Sequence, residues 1–115
     1  MLPRQLRVRK TQIPEIMKKG KGFFCPTLSL KLAPTTLPNK PSLFTVVVGS
    51  KVEPTAVGRN KLKRRIRHIL YKNRSKVRNG FQGVVLVAKP ARVALFGELE
   101  QDILYVLTKS GLITK

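Results

Sequence analysis

Phosphate binding is the chemistry best served by residues 59–67, RNKLKRRIR, where six of nine positions are Lys or Arg. Arg presents a planar fork that meets a phosphate through two hydrogen bonds, and Lys adds a compact charge. Other chemistries find less support. His68 is the only histidine and sits on the same basic segment, where it reads as a phosphate or solvent contact rather than a general base. Glu98, Glu100 and Asp102 suggest a metal site, but i,i+2 spacing on a helix points neighbours apart, and acids near a helix start suit the dipole. Cys25 is the sole cysteine, which excludes an internal disulfide and a cysteine zinc site. GSK at 49–51 lacks the upstream glycine of a phosphate-binding loop. No catalytic constellation emerges, so the chain by itself is expected to cleave nothing.

The basic segment needs an element that holds it. At about 100° per residue, Leu62, Ile66, Ile69, Leu70 and Val77 fall on one arc, which predicts a helix over 56–78 that Asn79 and Gly80 end. On the same wheel Asn60, Arg64, Arg67 and Tyr71 lie opposite that stripe. Lys61, Arg65, His68 and Lys72 form one shoulder, Lys63 and Arg74 the other. An ordinary solvated helix interleaves Glu with Lys at i,i+4, whereas here neighbouring cations repel by a few tenths of a kcal/mol per pair. That repulsion is relieved when a polyanion binds.

Before it, Thr11 can cap a short helix that holds Pro14 in its first turn and ends at Gly20, with Ile13, Ile16 and Met17 on one face. FFCPTLSLKLA, 23–33, is β-like, and Pro26 within it suits a bulge or an edge strand. From Leu28 it alternates, with Leu28, Leu30 and Leu32 on one side. Pro34, Pro38 and Pro41 mark a loop, after which 42–49 reads as a buried strand. Residues 83–89 form another strand. Residues 95–109 predict a last helix with Leu95, Leu99, Ile103, Val106 and Leu107 inward.

All this fits within one domain, 1–115, whose 42% hydrophobic content argues for a folded chain. Its net charge of +19 is uneven, because residues 1–78 hold 20 of the 24 Lys and Arg but two of the five acids. A field of this kind attracts polyanions, and nucleic acid is the expected partner ahead of an anionic membrane. The N-terminus lacks the apolar stretch of a signal peptide and no run is long enough to span a bilayer, so the cytoplasm is the expected location.

The stretch VGSKVEPTAVGRNKLKRRIR, 48–67, resembles the signature of the bacterial ribonuclease P protein component, approximately S-K-K-x-G-x-A-V-x-R-N-R-x-K-R-x-x-R. Ser50, Lys51, Ala56, Val57, Arg59, Asn60, Lys63, Arg64 and Arg67 match it. Val52, Pro54 and Lys61 depart from it, as do His68, where an acid is frequent, and Ile13, where an aromatic is usual. LRVRKTQIPEIMKKGK, 6–21, is similar to the family's opening segment, and KPA at 89–91 sits where the family leaves its last strand.

This resemblance implies an α+β fold, a two-layer α/β sandwich of about four strands and three helices in the order α-β-β-β-α-β-α, with a left-handed β-α-β crossover where the general rule favours the right-handed form. It implies a protein subunit of an endoribonuclease whose RNA subunit is the catalyst, with Mg²⁺ held by RNA activating the water that removes the 5′ leader of precursor tRNA. The implied partners are that catalytic RNA and precursor tRNA, with no membrane and no obligate protein partner. Arg59, Asn60, Lys61, Lys63, Arg64, Arg65 and Arg67 would then contact the RNA subunit, although Asn60 can equally serve as a fold-stabilising helix-start residue. Ile13, Met17, Phe23, Phe24, Lys31 and Lys51 would form a leader-binding cleft between the first helix and the open face of the sheet, where the apolar four can equally be core. A small ribosomal protein is the alternative reading, since size and charge suit both classes. A DNA-reading helix would carry more varied base-contacting side chains than this one.

Overall fold

Alternation along the strands organises the molecule. The computed structural model describes residues 13–34, 39 and 42–113, in which three helices pack on a four-stranded sheet. The helices are α1 (Ile13–Lys19), α2 (Ala56–Lys72) and α3 (Phe96–Lys109). The strands are β1 (Lys21–Phe24), β2 (Leu28–Pro34), β3 (Leu43–Val47) and β4 (Phe81–Val87), with spatial order β1-β2-β4-β3. β2 runs antiparallel to both β1 and β4, while β3 runs parallel to β4 and reaches it through α2. Chain order and α+β class are those the resemblance implies, whereas the residue pattern alone predicts three strands, reading 23–33 as one where the structure has β1 and β2.

Leu28, Leu30 and Leu32 share one sheet face with Val85 and Val87 of β4 and Phe44 and Val46 of β3, all buried beneath α2 and α3. The predicted stripe of α2 closes this core, with Leu62, Ile66, Ile69 and Leu70 buried. From α3 come Leu99, Ile103, Val106 and Leu107. Gly83 is needed in this layer, because a Cβ there would press on the Phe44 ring at 2.9 Å. The opposite sheet face meets only α1 among the described helices, through Ile16 buried on Val84 and flanked by half-buried Ile13, Met17 and Leu86.

Four expectations change. The basic helix stops at Lys72 rather than Arg78, because Asn73 turns its side-chain amide back onto the Ile69 carbonyl at 2.9 Å, its backbone N–H bonds the same oxygen at 3.2 Å, and a 3-10 turn (Arg74–Lys76) follows. Val77 therefore reaches the core from beyond the helix. Pro26 lies in neither a bulge nor an edge strand but in the turn between β1 and β2, which the Cys25 N–H closes on the Leu28 carbonyl at 3.0 Å. Leu95 does not face inward; it sits at the N-cap of α3 and is 72% exposed. β4 ends at Val87 rather than Lys89, and Lys89 and Pro90 instead open a 3-10 turn (Lys89–Arg92). The Thr11 cap lies outside the described residues.

One polar contact fastens α3 to the sheet. Asp102 accepts hydrogen bonds from the Thr27 hydroxyl at 2.6 Å and the Thr27 N–H at 3.2 Å, across 75 residues of chain. Hydrogen bonds to a charged acceptor contribute more than neutral ones, and Asp102→Ala would strand two donors of a buried residue. The expected outcome is a loss of about 2–3 kcal/mol, read as a lower urea midpoint with unchanged slope. An unchanged midpoint would show the tie to be dispensable. Cys25 lies beside it, its thiol donating to the Leu28 carbonyl at 3.1 Å. Burial pushes the thiol pKa up, so it stays protonated at neutral pH and is a poor nucleophile.

Candidate nucleic-acid interface

Helix α2 starts at a built corner. Thr55 is the N-cap, its hydroxyl accepting from the Gly58 N–H at 3.0 Å. Glu53 folds over this first turn, receives the Thr55 N–H and hydroxyl at 3.3 and 3.2 Å, and pairs with Arg92 Nε at 3.1 Å. Gly58 leaves room for that carboxylate, since a Cβ would collide with it. Arg59 turns back and donates from one Nη1 to the carbonyls of Glu53 and Pro54, both at 3.0 Å. At about 100° per residue Arg59 projects toward the core side of α2, not the outer face. Its guanidinium thus fastens the entry loop, a role that matching it to a motif did not suggest.

Beyond that corner the predicted contact residues separate by exposure. The neutral Asn60 and the cations Lys61 and Arg64 are exposed, and Lys63, Arg65 and Arg67 are half-buried. The apolar stripe beneath is rigidly packed, so the outward charges are presented on a fixed rod. No acid interrupts α2 itself. Acids reach it from other segments: Glu100 of α3 meets Lys72 at 3.2 Å, and Glu53 packs against Gly58 in the first turn. His68 stands 6.1 Å from the Phe96 ring, tilted at 51°. Arg74, beyond the helix, stacks 3.8 Å over the Tyr71 ring and donates to the Tyr71 carbonyl at 2.7 Å.

The second predicted group is only partly brought together. Ile13 and Met17 line α1 where it meets the sheet, half-buried. Lys31 points to that same sheet face, opposite in sequence parity to the buried Leu30 and Leu32. Phe24 pairs with Ser29 and so shares the face; its ring is 70% exposed and lies over Gly22, where a Cβ would come within 3.0 Å of the ring and 3.4 Å of the Lys31 ammonium. Phe23 does not join them. It pairs with Leu30 and packs into the core under the helices, because adjacent strand residues point to opposite faces. Lys51 is exposed in the turn that follows β3.

Sequence reasoning assigns no such roles to Glu53, Arg92 or Asp102, the last of which it reads as an acid near a helix start. Glu53 left a readable trace, as one of two acids in the first 78 residues and directly before a basic helix. Arg92 and Asp102 acquire their partners through contacts of 39 and 75 residues' separation, for which no local signal exists.

These features define a small basic α+β protein built around one cationic helix and an open sheet face. The ribonuclease P family model matches residues 2–111. The chain is 32% identical over 98% of its length, and 97% of the relative's, to the ribonuclease P protein component of Pseudanabaena sp. strain PCC 6903. It is 40% identical to that of Thermus aquaticus over 84% of this chain and 52% of the relative. Among solved structures, the RNase P protein from Thermotoga maritima superposes with a TM-score of 0.80 at 26% identity, covering 90% of this chain and 96% of that one. The Staphylococcus aureus RNase P protein gives 0.83 at 20% identity, covering 95% and 98%, and speaks for the fold alone. The chain belongs to the ribonuclease P protein-component family.

Proposed function

We propose that the outward cations of α2 bind the catalytic RNA of ribonuclease P, and that the groove between α1 and the open sheet face holds the 5′ leader of precursor tRNA. The observation that carries this reading is a helix whose buried residues are all apolar and whose exposed charges are all positive, Lys61 and Arg64 foremost, beside the polar Asn60. Such a face is repulsive in isolation and complementary to a phosphate backbone. Arg59 contributes by holding the entry loop in place, so that the first turn meets RNA in a fixed orientation.

In the groove, a cationic rim with flat apolar groups is what a single strand requires, since every base offers a π-face. Phe24, Lys31, Ile13 and Met17 supply it. Binding both RNAs at once would bring the leader to the catalytic RNA with its approach already oriented, which is the protein's share of the rate. The activated water would come from Mg²⁺ held by the RNA, not by this chain. Among the described residues no three His, Cys, Asp or Glu side chains converge on a point, and no step is assigned to a metal held by the protein. No described helix is long and apolar enough to cross a membrane, and the cytoplasm is the proposed place of action.

Reconstitution tests the reading. Protein, the ribonuclease P RNA of the same genome and a precursor tRNA are combined at low Mg²⁺, each omitted in turn. Leader removal is expected to require the RNA and to be strongly stimulated by the protein. Cleavage by the protein without RNA would sink it. A sharper probe of the groove is Phe24→Ala, which removes an exposed ring without touching the core. Affinity of the holoenzyme for precursor tRNA is expected to fall about tenfold, the worth of one stacked base, while mature tRNA binds unchanged. Equal losses for both substrates would place Phe24 outside the leader path.

A further inference from the structure

Apolar side chains crowd the surface where α3 begins. Val93 is 85% exposed, Leu95 72% and Phe96 40%, although the same helix buries its next apolar positions. Two of them face the cationic shoulder of α2: Val93 and Arg92 share a depression of about 390 Å³ with Lys61 and Arg65, and Phe96 meets His68 one turn on, with Lys72 meeting Glu100 another turn on. One wall of this seam is cationic and the other apolar. Its one acid at the near end, Glu53, already receives Arg92 Nε and the Thr55 donors, so its charge is largely spent. Arg92 remains 55% exposed and can still face solvent with its outer guanidinium edge.

We infer that this seam is an additional RNA-binding subsite that takes one unpaired nucleotide, its phosphate among Lys61, Arg65 and Arg92 and its base against Val93 and Phe96. The inference rests on the reading of α2 as an RNA-binding face and extends that face sideways, onto a turn and a helix start that carry no part of the basic motif. An exposed apolar patch by itself fits many occupants. Here the near end of the seam is predominantly positive, with Lys61, Arg65 and Arg92 against Glu53 alone, and cations beside flat apolar groups are the pairing that single-stranded nucleic acid recognises. Stacking and phosphate contact also respond differently to salt, which makes the two halves of the subsite separable by experiment.

The test measures binding of the ribonuclease P RNA transcribed from the same genome, across a salt series, for wild type and for Phe96→Ala, Phe96→Trp, Arg92→Gln and Arg64→Ala, with thermal melts confirming that each is folded. Phe96→Ala is expected to weaken binding about tenfold at every salt concentration with an unchanged salt slope, and Phe96→Trp to restore it. Arg92→Gln is expected to lower the slope by about 0.7–0.9, one phosphate's worth. If Phe96→Ala and Arg92→Gln bind as wild type while Arg64→Ala binds weakly, the subsite is refuted and the α2 reading stands. If Arg64→Ala is also silent, the α2 reading fails and the subsite with it. Loss of a concentration-dependent dimer in Phe96→Ala, with RNA binding intact, would assign the patch to a second copy of the chain and likewise overturn the proposal.

Discussion

Lys61→Glu combined with Arg64→Glu is expected to lower affinity for the ribonuclease P RNA by about a hundredfold or more near 100 mM salt, with the thermal midpoint nearly unchanged. Both side chains are exposed on α2, away from its buried stripe, so the fold does not depend on them. Each lost phosphate contact forfeits the release of roughly 0.7–0.9 counterions, and each new carboxylate adds repulsion. In the wild type, about six neutralised phosphates would make affinity fall a few hundredfold between 50 and 200 mM salt, with a log–log slope near −4. The double variant should show a slope shallower by about 1.5. A wild-type slope near zero, or a variant that binds RNA normally, would remove α2 as the RNA face.

Ile66→Ala acts on the other side of the same helix. Ile66 is 0% exposed and packs within the cluster that joins α2 to the sheet and α3. Truncating it removes buried methyl and methylene groups and leaves a cavity that a sheet on one side and a helix on the other cannot collapse. The expected cost is about 2–5 kcal/mol, or a fall in the thermal midpoint on the order of 10–25 °C. RNA should recover part of that loss, because a ligand that binds only the folded state stabilises it by mass action. At saturating RNA the fraction of the variant folded and bound would then approach that of wild type, since no outward cation has been altered. A melt unchanged by Ile66→Ala would mean that the stripe is not the helix's anchor. Failure of RNA to raise the variant's midpoint would separate folding from binding on this helix.

The two substitutions show how differently the two faces of α2 were written. Periodicity exposes the stripe, because burial at 3.6-residue spacing is a local consequence of helix geometry. Leu62, Ile66, Ile69 and Leu70 were legible for that reason, as were Leu28, Leu30 and Leu32 at period two. Charge exposes the outer face, since a one-signed run stands out from an interleaved one. Boundaries were less legible. Asn73 ends α2 by bonding back to Ile69, yet within the basic helix it reads as one more polar residue. Phe23 and Phe24 are adjacent and chemically identical, so their identities alone cannot say which enters the core. Only the register of β1 on β2, Phe23 with Leu30 and Phe24 with Ser29, divides them.

Sequence by itself determined the anchored basic helix and its suitability for a polyanion, because both follow from local spacing and net charge, and its resemblance to a family implied the class of fold. Tertiary structure decided which cations are free to act and which are structural. Arg59 is drawn to the carbonyls of its own entry loop, Glu53 is matched to Arg92 from a distant turn, and the apolar start of α3 is laid alongside the α2 shoulder. Those assignments depend on which segments the closing of one core brings together. Hydrophobic burial sets that closure, and polar partners are then chosen from whatever it places within reach.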